Sequence, residues 1–442
     1  MTTNGNPLSR LAAIILTILA LQIPLLMVNG LVAERQARRD AAVTDVSAKW
    51  GNRQAIVGPA LLIPYVHRWT ETIAGRGETA RAEQHSAVFL PSRLRIRATI
   101  DADTRSRGIF SIPVYRMKAT LEGEFAELRA TGLNLNPADV AWDRAQLIVN
   151  ISDVRAIQEH PRLVWNGGDI PFTAGSGWTT GGGGIHADVP LAVGSGSTFS
   201  FPLAVNGSVS ASFAPFGLNT VVEVSSNSPN PTFQGAWLPT ERAIGANGFT
   251  ATWTVASIAR SYPQAWTTTT AMKDPIANSL FGVDLLQPVD HYRMASRSVK
   301  YAALFLVLTF AAVWLIEVLS AQRVHPIQYL LLGAALCMFY LLELSLSEHL
   351  GFGVAYAVAA SAVIGVMASY CVSILKAWWR AAVVGGGVGA LYAYLYVVLT
   401  NEDYALLIGT IGLFVALAVV MLTTRRIDWY AEAPLVPASD RR

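Results

Sequence analysis

Long apolar runs occupy both ends of the chain, and an alternating apolar–polar pattern fills the region between them. A helix needs about 20 apolar residues to cross a hydrocarbon core about 30 Å thick. Apolar segments long enough for this lie at 11–32, 299–319, 327–346, 351–373, 381–400 and 404–423. The pattern therefore predicts an integral membrane protein of the α+β class, with an N-terminal transmembrane helix and a C-terminal bundle of five transmembrane helices.

The region 33–298 is predicted to form a large β-rich domain. Residues 33–50 contain no Pro or Gly, so the first helix is expected to continue until Gly51. Beyond it, stretches such as "SRLRIRATIDA", "FSFPLAVNGSVSASF" and "NTVVEVSS" alternate apolar and polar residues between Gly, Pro, Asn and Asp. Because no helical stretch separates them, a mostly antiparallel sandwich or two-sheet β architecture is favoured. The pattern does not decide between one lobe and two.

The Gly-rich stretch "WNGGDIPFTAGSGWTTGGGGIHADVP" (165–190) interrupts these strands. We interpret it as a loop, either the long loop of a hairpin or a hinge between two β lobes. It has no Lys-Ser/Thr ending and does not stand between a strand and a helix, so a phosphate-binding loop is not expected.

Composition supports the membrane interpretation. Hydrophobic residues make up 52% of the chain and charged residues only 14%, whereas about a quarter of the residues of a soluble protein are charged. The first apolar segment is expected to remain as an anchor, because Leu31 stands where a signal peptidase site requires a small residue. The net charge of +3 is spread over the chain without a basic cluster interleaved with aromatic residues, so no nucleic-acid partner is expected.

The charges of the short loops predict the orientation in the membrane, because Lys and Arg in such loops mark the cytoplasmic side. Alternate connections and the tail 424–442 carry Arg323, Lys376, Arg380, Arg425 and Arg426, whereas "LSEHLG" and "TNEDY" carry no Lys or Arg. Both termini are therefore expected in the cytoplasm and the β-rich domain in the periplasm. The cations at 35, 38 and 39 run against this rule on the proposed outer side.

No metal, cofactor or catalytic motif is recognisable. The histidines are scattered, there is no HExxH, and no G-x-S-x-G surrounds a serine. Cys337 and Cys371 are expected at depths about 12 Å apart, which is too far for a disulfide. The sequence therefore predicts no catalytic residue, no cofactor and no metal site.

Ionisable residues near the membrane spans are the candidate functional residues. They are Glu343, Glu348 and His349 at the outer end of the third span, with Asp290 and His291 before the second span. Ionisable groups in a bilayer often mark proton relays or substrate paths. Here each lies close to an interface, so contact with headgroups or a hydrogen bond between helices is the alternative explanation.

Two further segments have alternative structural interpretations. The stretch "FGVDLLQPVDHY" with Pro288 is interpreted as the joint between the β domain and the bilayer, although a binding surface shared by domain and bundle fits it too. Gly385 and Gly389, four residues apart, favour close helix packing. They also leave a homo-oligomer open without requiring one.

Several ordered blocks resemble a known family. They include "WGNRQAIVGPALLIPY" (50–65), "PTFQGAWLPTERAIGANGFTATWTV" (231–255) and "FGVDLLQPVDHYRMASRSVKYAALF" (281–305). Nearly the whole chain is similar to the CreD-type inner-membrane proteins of Gram-negative bacteria, called cell envelope integrity proteins. The resemblance implies an inner-membrane location, a periplasmic domain, a helical bundle, and a role in envelope stress and in colicin or antibiotic tolerance. It implies no catalytic residues.

Three functional hypotheses follow. The first is a non-enzymatic envelope integrity protein whose periplasmic domain binds or scaffolds an envelope protein or a cell-wall component, with the lipid bilayer around its spans. The second is a transporter or lipid-handling protein that uses Glu343, Glu348 and His349. The third is a membrane-embedded hydrolase, for which the sequence offers no clear nucleophile.

Overall fold

The computed structural model describes residues 7–73, 77–128, 130–133, 135–177, 183–191, 194–285, 291–320, 324–375, 377–401 and 403–425. The chain divides into two compact units. A helical unit comprises Met1–Ala37 and Val289–Arg442, and a β unit comprises Arg38–Pro288. Pro288 and the neighbouring residues of the predicted joint lie outside the described residues.

The helices confirm the predicted α+β class with one N-terminal and five C-terminal apolar helices. They are α1 (Pro7–Trp50), α2 (Lys273–Ala277), α3 (His291–Ser320), α4 (Pro326–Leu350), α5 (Phe352–Leu375), α6 (Trp378–Thr400) and α7 (Ala405–Thr424). All except the short α2 are long and apolar enough to cross a membrane. Helix α3 begins at His291, well before the predicted start of its span at Val299.

Small and aromatic residues bring the helices of the helical unit together. A Cβ atom at Gly333 on α4 would collide with Leu21 of α1 and would meet Phe310 of α3. A Cβ atom at Gly385 on α6 would come within 3.2 Å of Ala368 on α5, so this glycine serves close helix packing. Helix α7, which is described over its whole length, contains no buried residue.

The described part of the β unit contains seventeen strands. They are β1 (Gln54–Ile73), β2 (Gly77–Phe89), β3 (Arg93–Arg107), β4 (Phe110–Phe125), β5 (Gln146–Ile151), β6 (Arg162–Trp165), β7 (Gly168–Pro171), β8 (Thr173–Ala174), β9 (Gly184–Asp188), β10 (Ser197–Ser208), β11 (Ser210–Phe213), β12 (Asn219–Ser226), β13 (Pro231–Gly235), β14 (Glu241–Gly245), β15 (Gly248–Ala256), β16 (Ala265–Thr267) and β17 (Phe281–Leu285).

These strands form two sheets around one core. The first sheet runs β13-β17-β11-β1-β5-β9-β8, with β2 joined to β1 and β16 joined to β2. The second runs β14-β15-β12-β3-β4-β10-β6-β7. Most neighbours are antiparallel, and β1–β11 and β12–β3 are parallel pairs. Buried residues of both sheets, such as Ile63 and Leu121, belong to a single hydrophobic cluster, so the β unit is one lobe.

The interpretation of 165–190 as a loop is wrong for much of that segment. Trp165 ends β6, a turn at Asn166 and Gly167 leads into β7, and β8 and β9 follow. Strand β7 pairs in the second sheet whereas β8 and β9 pair in the first, so the segment crosses between the sheets. Gly and Pro obscured these short strands because both residues lower β propensity.

The last turns of α1 pack on the second sheet within the β unit. Ala42 and Val46 contact Ile112 and Val114, and the Trp50 indole donates a hydrogen bond of 3.2 Å to the Tyr115 carbonyl. Gly51 follows with φ 146°, and a Cβ atom there would lie 2.6 Å from the Asn206 carbonyl oxygen. Only glycine fits this turn from helix to strand.

Candidate functional site

The candidate residues of the helical unit differ in how far their side chains are buried in the protein. Glu343 is buried, with 1% of its surface exposed. Glu348 is half-buried and His349 is exposed in the last turn of α4. His291 is half-buried at the first position of α3. Asp290 lies outside the described residues.

Glu343 is bound by a hydroxyl from the neighbouring helix. The Ser298 hydroxyl on α3 donates a hydrogen bond of 2.8 Å to Glu343 Oε2 on α4. Ser298 has no exposed surface. Of the alternatives that the sequence left open, the structure therefore contains the hydrogen bond between helices, with the carboxylate buried inside the helical unit.

Tyrosines from three helices surround this carboxylate. Tyr340 lies one turn before Glu343 on α4, Tyr356 lies on α5 and Tyr392 on α6, and all are buried. The Tyr356 hydroxyl donates a hydrogen bond of 2.7 Å to the Tyr392 carbonyl oxygen. The Phe339 ring packs 4.3 Å from the Tyr392 ring between centroids. The result is an aromatic cluster that holds α4, α5 and α6 together.

Three polar atoms of this cluster lack a partner within the described part of the chain. They are Glu343 Oε1 and the hydroxyl oxygens of Tyr340 and Tyr392. Leaving a buried polar group without a partner costs about 1–3 kcal/mol, so each such group calls for an explanation, such as a bound water, an ion or a functional role. A carboxylate beside hydroxyl groups in this setting can take up a proton or hold a water molecule.

A second polar cluster lies where α3 begins and α4 ends. The Tyr292 hydroxyl donates a hydrogen bond of 2.9 Å to Glu348, and the Arg35 guanidinium of α1 lies 3.8 Å from the same carboxylate oxygen. Arg297 donates hydrogen bonds to the carbonyl oxygens of Val398 and Leu399 at the C-terminal end of α6. Such contacts satisfy terminal carbonyl groups and complement the helix dipole.

Glu317 forms a comparable buried site at the other end of α3. Its carboxylate accepts hydrogen bonds from the Tyr329 hydroxyl at 2.9 Å and from the Val324 backbone N–H at 3.3 Å. Both oxygens of Glu317 thus have donors. Glu343, by contrast, has one oxygen without a donor among the described residues, which makes it the stronger functional candidate of the two.

The β unit presents an apolar surface at one end of its second sheet, here called the apolar end and defined as Leu218, Leu238 and Ile258. Leu218 stands immediately before β12 and Ile258 just after β15, and these strands are antiparallel. Leu238 precedes β14, which is antiparallel to β15. Their exposed fractions are 46%, 70% and 94%, so all three side chains are open to a partner.

A buried arginine fixes the segment that carries Ile258. Arg260 donates hydrogen bonds of 2.8 and 3.0 Å to the carbonyl oxygens of Pro215 and Phe216, and its guanidinium stacks 4.7 Å from the centre of the Tyr262 ring. Burial lowers the pKa of Arg260 from its usual value. The apolar end therefore rests on an ordered base within the β unit.

No metal centre is recognisable among the residues that the structure describes, where no group of three or more His, Cys, Asp or Glu side chains is placed to hold an ion.

Comparisons with known proteins identify the family. A family model described as inner membrane protein CreD matches residues 6–430. The chain is also 32% identical over 421 residues to inner membrane protein CreD of Escherichia coli (strain K12), covering 94% of this chain and 92% of that protein. The chain belongs to the CreD family. It is thus an inner-membrane protein with six candidate spans, and the CreD family is not known as a family of enzymes.

Among solved structures, similarity is low. A mutant of a two-domain M1 zinc metallopeptidase bound to L-tryptophan matches 38% of this chain and 39% of its own, with a TM-score of 0.18 and 11% identity. That similarity supports no inference about this CreD-family chain.

Sequence reasoning missed several residues around the candidate carboxylate. Ser298, Tyr340 and Tyr392 contribute to the site, yet they are distant in sequence or appear as ordinary apolar-face residues. Tyr340 alone carries a local signal, because a residue three positions before Glu343 shares its helix face. The apolar end of this CreD-family protein was missed as well, because single aliphatic residues at strand ends carry no periodic pattern.

Proposed function

We propose that this CreD-family protein supports the integrity and stress tolerance of the cell envelope, including tolerance of colicins, by binding a protein partner through its β unit. The family, the inner-membrane location and the size of the β unit support this role. In this proposal the protein acts as an anchored binding or scaffolding module and catalyses no reaction.

The proposal places the β unit in the periplasm and both termini in the cytoplasm. The basic residues of alternate short connections support this orientation, because Lys and Arg are retained on the cytoplasmic side. A periplasmic β unit faces the compartment in which envelope partners are found.

The apolar end carries the binding proposal. Exposed apolar surfaces on folded domains commonly mark sites of protein interaction. Leu218 and Ile258 are held side by side, because the Ser257 backbone N–H donates a hydrogen bond of 2.8 Å to the Leu218 carbonyl oxygen. Aliphatic side chains offer sugars few polar contacts, so a protein is a better occupant than a cell-wall glycan.

A complementation experiment tests this surface. The variant Leu218→Ser, Leu238→Ser and Ile258→Ser is expressed in a strain that lacks the protein, at membrane levels matched to wild type. We expect it to fail to restore growth under colicin or detergent challenge. The matched control is Ile109→Ser with Ile244→Ser, which removes exposed apolar residues at the opposite strand ends and should restore growth. Full restoration by the triple variant would refute the binding proposal.

A second candidate function rests on Glu343. We propose as the alternative that this carboxylate exchanges a proton during a transport or lipid-handling step. The Glu343 Oε1 atom has no hydrogen-bond partner among the described residues, and tyrosine hydroxyls lie nearby. Both features favour this carboxylate over other sites in the described part of the bundle.

The substitution Glu343→Gln tests this alternative, because glutamine keeps the size and hydrogen-bonding capacity of the carboxyl group but cannot release a proton. Loss of tolerance with normal insertion would support proton exchange, and full tolerance would exclude it. Glu317→Gln is the control, since it alters a buried carboxylate whose oxygens both have donors.

A further inference from the structure

A groove opens between α3, α6 and α7 within the helical unit. It has a volume of about 770 Å³, which is within the range of ligand sites, about 300–1,000 Å³. Of its lining residues only Tyr301, Tyr394 and Thr410 carry a polar side-chain group. An apolar chain therefore fits this groove better than a polar solute.

Helix α7 contacts α6 over a small area around Tyr394, and the groove stays open beside this contact. The Tyr394 hydroxyl donates a hydrogen bond to the Ile408 carbonyl oxygen, and the Tyr394 ring covers Gly412, where a Cβ atom would collide with it. Gly387 on α6 and Gly409 on α7 line the groove, and a Cβ atom at either position would meet no described atom within 4 Å. The missing side chains at these two positions leave space.

The groove is long enough for a lipid tail. Along α3 its lining extends from Tyr301 to Leu315, which corresponds to about 21 Å of helix. This exceeds half of the hydrocarbon core of about 30 Å. An acyl chain from one leaflet can therefore lie along it over its full length.

Charged groups of both signs stand at one mouth of the groove. Lys300 is exposed and precedes Leu304 and Leu308 on the same helix face, at the spacing of four residues. Asp403 is exposed and lies two positions before Ala405, which lines the groove. Arg297, three residues before Lys300 on α3, donates hydrogen bonds to the carbonyl oxygens of Val398 and Leu399, near the end of α6 that precedes Asp403.

Lys300 and Asp403 are both exposed. The structure records no ion pair for Lys300 or for Asp403 with any described residue. A cation and an anion beside one apolar groove complement a headgroup that contains a phosphate and a primary ammonium. The phosphate suits Lys300, and the ammonium, which donates hydrogen bonds, suits Asp403.

We propose that this groove binds one phosphatidylethanolamine molecule, with an acyl chain between α3, α6 and α7, its phosphate on Lys300 and its ammonium on Asp403. Phosphatidylglycerol fits less well, because its anionic glycerol headgroup leaves Asp403 without a counter-charge. Phosphatidylcholine fits less well because its choline group has no N–H to donate to Asp403. The site is separate from Glu343 and from the apolar end, so it goes beyond the proposed function.

Lipid retention tests the proposal on the full chain. The purified protein is reconstituted in vesicles with equal amounts of phosphatidylethanolamine, phosphatidylglycerol and phosphatidylcholine, then extracted in mild detergent, and the retained lipids are quantified by mass spectrometry. Phosphatidylethanolamine is expected to be enriched over the other two. Gly387→Leu fills the groove and should abolish the enrichment. Gly386→Leu is the matched control, since it adjoins Gly387, has open space and does not line the groove.

Two surface variants test the headgroup contacts and do not depend on the core of the bundle. Lys300→Ala should lower the enrichment about two- to fivefold, which is the range expected for one exposed ionic contact. Asp403→Asn should shift the preference toward phosphatidylglycerol. The proposal would be overturned if the wild-type protein retained the three lipids equally or preferred phosphatidylglycerol. Unchanged enrichment of phosphatidylethanolamine in Gly387→Leu would overturn it as well.

Discussion

The Ser298 hydroxyl on α3 donates a hydrogen bond of 2.8 Å to the Glu343 carboxylate on α4. This contact joins two helices at a site with almost no exposed surface. It satisfies one carboxylate oxygen, while the other oxygen makes no hydrogen bond to any described residue. Glu343 is therefore both a structural tie and the strongest chemical candidate in the bundle.

Ser298→Ala is expected to destabilise the helical unit by about 1–3 kcal/mol, because it removes the donor to a buried carboxylate. Thermal unfolding of the purified protein in detergent measures the effect. Ser369→Ala is the matched control, since this exposed hydroxyl bonds only the Val366 carbonyl of its own helix. Equal melting temperatures for the two variants would show that the Ser298–Glu343 hydrogen bond contributes nothing to the stability of the helical unit.

Arg260→Met is expected to loosen the base of the apolar end. The carbonyl groups of Pro215 and Phe216 lose the Arg260 donor, which costs about 1–3 kcal/mol where a buried group is left unsatisfied. The Pro215 carbonyl keeps the Tyr262 hydroxyl as a donor at 3.3 Å. Hydrogen exchange of the full chain should accelerate around Ala214–Leu218 and Ser257–Gln264. Arg242→Met on the exposed strand β14 is the control and should leave exchange in both segments unchanged.

Asp153 is expected to make the β unit sensitive to acid. Hydrogen bonds from the Arg155 side chain lower the pKa of Asp153 below its usual value of 3.8, and the Asn52 backbone N–H acts in the same direction. The folded state thus favours the ionised carboxylate. Its contribution is fully present above the unfolded pKa and is lost as the pH falls through the lower folded pKa.

Denaturant unfolding from pH 7 down to about pH 3 measures this contribution. Asp153→Asn should lower the free energy of unfolding at pH 7 and flatten its decline below pH 3.8. Asp143→Asn alters an exposed carboxylate and is the control. If the free energy of unfolding of the Asp153→Asn variant declined at low pH as steeply as that of wild type, Asp153 would not be the source of the acid sensitivity.

Chemical labelling should report the orientation. In a background with Cys337→Ala and Cys371→Ala, Ser106→Cys introduces a thiol on the exposed end of β3, and Arg425→Cys introduces one after α7. A maleimide that cannot cross the inner membrane should label position 106 in cells with a permeabilised outer membrane. Position 425 should react only after lysis. The reverse pattern would contradict the loop-charge argument.

Strands with one buried face were predictable from the sequence. Strand β3 alternates exposed and buried residues over most of its length, which gives the period of two that the sequence displays. Strand β1 was not assigned, because its residues 58–63 are all buried and include Pro59. Burial on both faces replaces alternation with a continuous apolar run. Strand β14 is exposed throughout and has no alternation either.

The apolar helices were predictable because length and hydropathy suffice to recognise a span. The neighbours of Glu343 on other helices were not predictable, because hydropathy does not state which helix faces meet. Ser298 and Glu343 are 45 positions apart, and only the packing of α3 on α4 brings them together. For the same reason the sequence left open whether Glu343 contacts the headgroups or forms a hydrogen bond between helices, and the structure contains the hydrogen bond.

The most direct test compares two variants in one assay of growth under colicin or detergent challenge, at matched membrane levels, in a strain that lacks the protein. One variant removes the apolar end with Leu218→Ser, Leu238→Ser and Ile258→Ser. The other carries Glu343→Gln, Glu348→Gln and His349→Gln. The binding account predicts that the first variant fails and the second restores tolerance. Failure of the second with full activity of the first would contradict it and would assign the function to the helical unit.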